Sequence, residues 1–196
     1  SRWSGGLVAR IGSRVPLTVG PIVAAIGLAL YARPGVGGSY WSTFFPAMTV
    51  LGLGMATLVA PLTTTVMCAV DRQHAGVASG INNTVARVAG LLAIAVFGVV
   101  LTGRFESRMR PELQRAWVTP AVRSQLQSEL SKMAGARIDS ISIDPAHRAE
   151  LRAAVKTAFV SGYRVVVLEA AVLALAAAAF GAGINSRPNS ARNSTE

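Results

Sequence analysis

The longest run without a charged side chain places the strongest constraint on this chain. Between Arg33 and Asp71 lie 37 consecutive uncharged residues. A bilayer core about 30 Å thick is crossed by roughly 20 apolar helical residues. The run therefore predicts a membrane-spanning helix, and its excess length predicts a tilt or a break, with Pro46 and Pro61 as the expected places.

Composition supports the same class for the whole chain. Only 14% of its 196 residues are charged, whereas soluble domains have about 25%, and the mean hydropathy is +0.46. The sequence predicts an all-α membrane protein with four transmembrane helices, at residues 15–31, 40–70, 75–102 and 158–184. Residues 1–14 are predicted as a Gly/Arg loop and 185–196 as a disordered tail, both cytoplasmic.

A large loop, residues 103–157, separates the last two predicted spans. It has helical propensity but is divided by prolines, and at this length we expect a small extracytoplasmic cap without an independent core. Ten of the 19 basic residues fall between Arg104 and Lys156, alongside six acidic residues. This mild basic excess is typical of an extramembrane loop and not of a nucleic-acid-binding surface.

Several function classes find no support in the residues. The single cysteine, Cys68, excludes an internal disulfide, and His74 and His147 are too far apart in sequence for zinc-type ligand spacing. No nucleophile–base or metal constellation stands out, so we expect no enzyme activity, no metal and no cofactor.

The second span carries two stripes at helical spacing. One is made of small or polar residues, which pack against neighbouring helices in lipid: Thr43, Ala47, Val50, Gly54, Thr57 and Pro61. The other is aromatic and sulfur-rich: Trp41, Phe45, Met48, Gly52 and Met55. The second stripe either faces lipid and the bundle core or forms the wall of a substrate cavity, since Met and aromatic side chains adapt to varied lipophilic molecules.

The third span begins with a face of small and polar residues: Gly76, Gly80, Asn83, Arg87 and Gly90. Asn82 lies on the adjoining face. We interpret this face as a helix-packing seam. Arg87 is either a residue near the interface that fixes helix packing or a residue that lines a water-filled pathway.

An acidic residue, Glu169, lies within the fourth span, five positions after Arg164. The two side chains point about 140° apart on a helix, so no direct ion pair is expected. A carboxyl in a membrane is a candidate for protonation during transport.

Two stretches resemble a known family. GGLVARIGSR, residues 5–14, resembles the G-x-L-x-[DG]-R-x-G-x-R loop of the major facilitator superfamily. APLTTTVMCAVDRQHAGVASGINNTVARVAG, residues 60–90, is similar to a stretch of the fourteen-span drug:proton antiporters of the EmrB/QacA type. The resemblance implies that the four spans are the last helices of the transporter's C-terminal half.

In that family the Gly/Arg loop is cytoplasmic and braces conformational switching, and Gly5, Arg10, Gly12 and Arg14 match its pattern. Ala9 stands where the family often has Asp, which puts a charge-relay role in doubt. The family's orientation places both termini in the cytoplasm, although the raw Lys/Arg count of the loops favours the opposite orientation.

The resemblance implies the C-terminal part of a multidrug efflux transporter in the cytoplasmic membrane that works by alternating access. Its implied partners are the lipid bilayer, a lipophilic or cationic drug, protons as the coupling ion, and N-terminal helices absent from this chain. The alternative is a self-contained four-span scaffold or interaction protein. Further hydrophobic spans upstream in the reading frame would distinguish the transporter from the scaffold.

Overall fold

The computed structural model describes residues 14–37, 39–68 and 70–183, and these form helices joined by turns without any strand. The helices are α1 (Arg14–Tyr31), α2 (Tyr40–Cys68), α3 (Ala75–Leu113), α4 (Pro120–Leu130) and α5 (Pro145–Gly183). Short 3₁₀ turns occupy Arg72–His74, Met133–Gly135 and Ile138–Ser140. The predicted all-α class is confirmed. The loop predictions at Gly5, Arg10 and Gly12 and the predicted tail at 185–196 lie outside the described residues.

Four of these helices, α1, α2, α3 and α5, are long and apolar enough to cross a membrane. The helix α1 packs against both α2 and α5, and α5 also packs against α3. By contrast, α2 and α3 have little contact although they are consecutive in the chain. The four spans therefore form a row in which α1 and α5 are central and α2 and α3 are outer.

Small residues bring α1 and α2 close together. A Cβ added at Gly54 would lie 2.8 Å from the Cα of Ala24, and one at Gly27 would lie 2.7 Å from the Cα of Leu51. Ala47 of α2 is fully buried. The small stripe of α2 thus packs against a neighbouring helix, as predicted, because only residues without a large side chain permit this backbone distance.

The helix α2 is continuous through both of its prolines. Of the two alternatives, a tilt or a break, the break does not occur at Pro46 or Pro61. Between the prolines, Ala47 is fully buried and Gly54 packs on α1. This packing supports the helix across the sites of the missing N–H groups.

The prediction that residues 103–157 have no core of their own was wrong. Both α3 and α5 have 39 residues, about 58 Å of helix, so each exceeds a bilayer core of about 30 Å. Their ends extend into the segment predicted as a loop and enclose a hydrophobic cluster with α4. Its most buried members are Phe105, Met109, Leu126, Ile141 and Leu151. The extended ends of α3 and α5 form two sides of this core, and α4 with its flanking turns completes it. We call residues 103–157 the cap.

Candidate functional site

The aromatic and methionine stripe of α2 lies on the face turned away from α1. Phe45, Met48 and Met55 have 46%, 58% and 46% of their surface exposed. The rings of Trp41 and Phe45 are 5.2 Å apart, and the Tyr40 hydroxyl donates to the Met48 sulfur at 3.7 Å. The structure thus brings the predicted residues together on one open surface. Lipid contact and a cavity wall both remain predictions for it.

The face of α3 predicted as a seam is open along its length. A Cβ added at Gly76, Gly80 or Gly90 would meet nothing within 4 Å. Asn83 and Arg87 are exposed on the same helix. Within the part of the chain described, no helix packs into this seam, so its pairing with another helix stays a prediction.

Asn82 is separated from this open face. It is half-buried in a groove of about 480 Å³, between the end of α2 and the start of α3. Val66, His74 and Val85 also line the groove. Sequence reasoning did not identify this groove, because it depends on how the short turn at Arg72–His74 brings the end of α2 near the start of α3.

Arg164 and Glu169 of the last span do not form an ion pair with each other, as their spacing predicts. Among the described residues Glu169 has no ion pair, and Arg164 donates from Nη2 to the carbonyl oxygen of Pro34 at 3.0 Å. Glu169 is half-buried on α5. A role of Glu169 in proton transfer stays a prediction.

Curated relatives of the chain carry drug-resistance names. It is 32% identical over 169 residues to the multidrug resistance protein Stp of Mycobacterium tuberculosis, which covers 85% of this chain and 31% of the relative. It is 30% identical over 183 residues to the tetracenomycin C resistance and export protein of Streptomyces glaucescens, covering 90% of this chain and 33% of the relative. A third relative, the puromycin resistance protein pur8 of Streptomyces alboniger, is 30% identical over 99 residues, covering 50% of this chain and 20% of the relative.

The first two matches extend over 85% and 90% of the chain. The chain is homologous to these drug-resistance and export proteins, in agreement with its resemblance to the major facilitator superfamily. It spans about a third of the length of the first two of these relatives. No family model matches the chain, and no solved structure matches it significantly.

The Gly/Arg loop that suggested a major facilitator transporter is described only at its last residue. Arg14 is the first residue of α1, and its carbonyl accepts a hydrogen bond from the Thr18 hydroxyl at 2.9 Å. Gly5, Arg10 and Gly12 lie outside the described residues. The conformational role of this loop stays a prediction for this chain.

Proposed function

We propose that this chain is the C-terminal part of a secondary active multidrug efflux transporter of the cytoplasmic membrane. The transporter would exchange drug for protons by alternating access, with one helix bundle rocking against the other. Sequence similarity to resistance and export proteins over 85–90% of the chain supports drug export.

The open face of α3 indicates that further helices pack against this chain. None of the most apolar stretch of this helix is buried by the described part of the chain, and Asn83 and Arg87 are exposed near the start of the helix. Polar groups that face hydrocarbon without a partner are costly. Further helices or a water-filled path would give them partners, which favours a transporter over a self-contained four-span scaffold.

Each helix then has a separate role in the proposed transporter. The stripe with Phe45, Met48 and Met55 forms part of the cavity wall, and the face with Asn83 and Arg87 meets the remaining helices or lines the pathway. The central helices α1 and α5 support these two outer helices. Glu169 is the candidate protonatable group of this part, and the N-terminal helices supply the rest of the pathway.

The proposed orientation places the cap outside the cell and the turn between α2 and α3 in the cytoplasm. Ser124 of the cap and Gln73 of that turn are both exposed. With Cys68 replaced by Ser, an impermeant thiol reagent added to intact cells should label Ser124→Cys and not Gln73→Cys. The reverse labelling pattern would overturn the orientation.

Transport itself is testable in everted membrane vesicles that contain the product of the whole reading frame. We expect accumulation of ethidium, a fluorescent lipophilic cation, when a pH gradient is imposed, and loss of accumulation when a protonophore is added. Vesicles that lack ethidium uptake, together with cells that show no resistance to a panel of lipophilic drugs, would refute drug export. Uptake that survives the protonophore would refute proton coupling alone.

A substitution at the seam separates the transporter from the scaffold. Gly80→Leu adds a side chain where the chain has open space, so the unfolding free energy of the isolated chain should not fall. In the whole protein the same substitution should lower drug resistance, because it obstructs the contact with the other helices. Unchanged resistance would favour the scaffold.

A further inference from the structure

The cap contains a pocket that the function proposed above does not use. Its volume is about 340 Å³, and it lies between the outer part of α3, the end of α4 and the turn that follows α4. Phe105 and Met109, each 1% exposed, form its floor. Leu130 and Met133 add further apolar surface. Small-molecule sites are concave, mostly apolar and about 300–1,000 Å³ in volume, so the pocket is large enough for a drug-sized molecule.

The wall that carries Met133 is held in an uncommon conformation. Met133 has φ of 49°, in the left-handed region that side-chain-bearing residues rarely adopt. Two bonds to one carboxylate fasten this turn: Glu129 Oε1 accepts from Lys132 Nζ at 2.7 Å, and Oε2 accepts from the Arg137 N–H at 2.9 Å. Strained residues held by their surroundings are concentrated at ligand-binding sites. The pocket wall is therefore preformed and does not depend on a ligand to order it.

The rim of the pocket carries a carboxylate that the cap does not neutralise. The other five acidic residues of the cap all have partners: Glu112 and Glu150 pair with Arg115, Glu129 with Lys132, Asp139 with Arg152, and Asp144 accepts from the Ala146 N–H. Glu106 lines the pocket, is exposed, and makes no hydrogen bond or ion pair among the described residues. It is thus the acidic group of the pocket that remains available to a ligand.

The pocket lining has a negative and a positive side chain on successive turns of α3. Glu106 lies near Thr102, at the end next to the membrane span, and Arg110 lies one helical turn further out. A positive group of a ligand is attracted toward the membrane end and repelled from the outer end. Phe105, Met109 and Met133 offer an aromatic ring and two polarisable thioethers, which fit apolar bodies of varied shape.

We propose that this cap pocket binds a lipophilic cation, with the positive group at Glu106 and the apolar body against Phe105, Met109 and Met133. The proposal rests on the proposed export function, since it makes the pocket a second binding site for the transported drug, at the membrane surface. It differs from the stripe of α2, which lies within the membrane span.

The test uses the full 196-residue chain in phosphatidylcholine nanodiscs and two probes of equal shape and opposite charge. Equilibrium dialysis measures binding of tetraphenylphosphonium and tetraphenylborate, and binding to empty nanodiscs is subtracted. We expect saturable binding of tetraphenylphosphonium. Glu106→Gln should weaken it about tenfold, the effect of losing one charge-assisted interaction. Glu150→Gln, the same change at an exposed cap position outside the pocket, should leave it unchanged.

A second pair of variants tests the pocket volume independently of charge. Gln127 lines the pocket and Gln125 lies on the same helix without lining it, and both are exposed. Gln127→Trp should abolish saturable binding, whereas Gln125→Trp should not. Binding that is unaffected by Gln127→Trp, or a preference for tetraphenylborate, would overturn the proposal.

Failure of the cap-pocket proposal can be distinguished from failure of the export proposal. Ethidium export together with tetraphenylphosphonium binding that ignores Glu106 and Gln127 would refute the cap pocket and leave the exporter standing. Saturable binding that depends on both positions, in a protein that exports nothing, would establish the pocket and refute the exporter.

Discussion

Arg164 on α5 donates a hydrogen bond from Nη2 to the carbonyl oxygen of Pro34, at 3.0 Å and across 130 positions of sequence. Pro34 lies in the turn between α1 and α2. The bond therefore fastens the turn between two spans to a third span. It gives a structural reason for a guanidinium within an otherwise apolar helix segment, where no acidic residue of the described ranges pairs with it.

Replacing this donor should loosen the turn. Arg164→Met removes the hydrogen bond and should lower the free energy of unfolding by about 1–2 kcal/mol, the range for hydrogen bonds to charged groups with allowance for exposure. Arg164→Lys keeps one donor and should cost less. Reversible unfolding in mixed detergent micelles measures both, and Arg33→Met in the same turn is the control. Equal losses at positions 33 and 164 would contradict a specific role for this bond.

Two glycines of α2 should respond to alanine in opposite directions. At Gly54 an added Cβ would lie 2.8 Å from the Cα of Ala24, whereas at Gly52 it would meet nothing within 4 Å. Gly54→Ala should lower the unfolding free energy by about 1–3 kcal/mol through overpacking. Gly52→Ala should raise it by up to about 1 kcal/mol through helix propensity. The same unfolding measurement compares them, and equal effects would show that the contact between α1 and α2 is not tight.

The methionine stripe predicts altered drug preference in the intact transporter. Met48→Ala and Met55→Ala should change the relative resistance to a panel of lipophilic cations, because they reshape the proposed cavity wall. Leu53→Ala is the matched control, since Leu53 is 60% exposed and lies on another face of α2. If all three variants leave the resistance profile unchanged, the stripe faces lipid.

The cap should lose stability in acid through Glu129. The hydrogen bond from Lys132, together with that from the Arg137 N–H, holds the pKa of the Glu129 carboxyl below its ordinary value. A depressed folded-state pKa contributes stability above the unfolded value of about 4.3, and this stability is lost as the pH falls through the folded value.

Thermal unfolding followed by circular dichroism between neutral pH and pH 3 measures this contribution. Glu129→Gln should be less stable than the unsubstituted chain at neutral pH, and the difference should shrink as the pH falls below about 4.3. A difference that stays constant over this range would show that the carboxylate charge does not hold the turn.

The four membrane helices could be predicted from the sequence because hydropathy is a local property. Long apolar runs with few charged residues mark the spans directly, and helical spacing was enough to place Gly54 on a packing face and Met48 on another. The open seam of α3 could also be predicted as a surface, since Asn83 and Arg87 fall on one face by periodicity alone. The helix that packs against this seam could not be predicted, since no helix of the described chain packs there.

The cap was the main failure of sequence reasoning. Its prolines and polar residues predict a loop, whereas α3 continues to Leu113 and α5 begins at Pro145. The core around Phe105 and Leu126 forms because two helices emerge from the membrane side by side and bring distant apolar residues together. Propensity within the loop contains no information about that arrangement.

The sequence by itself determined the class of protein, the number of spans and the faces on which polar and small residues lie. Only the tertiary structure decided which faces are covered. It paired Arg164 with Pro34, gave every acidic residue of the cap except Glu106 a partner among the described residues, and left the pocket beside Glu106 open. These outcomes depend on the relative positions of helices far apart in the chain, and such positions are fixed by packing between side chains and not by local composition.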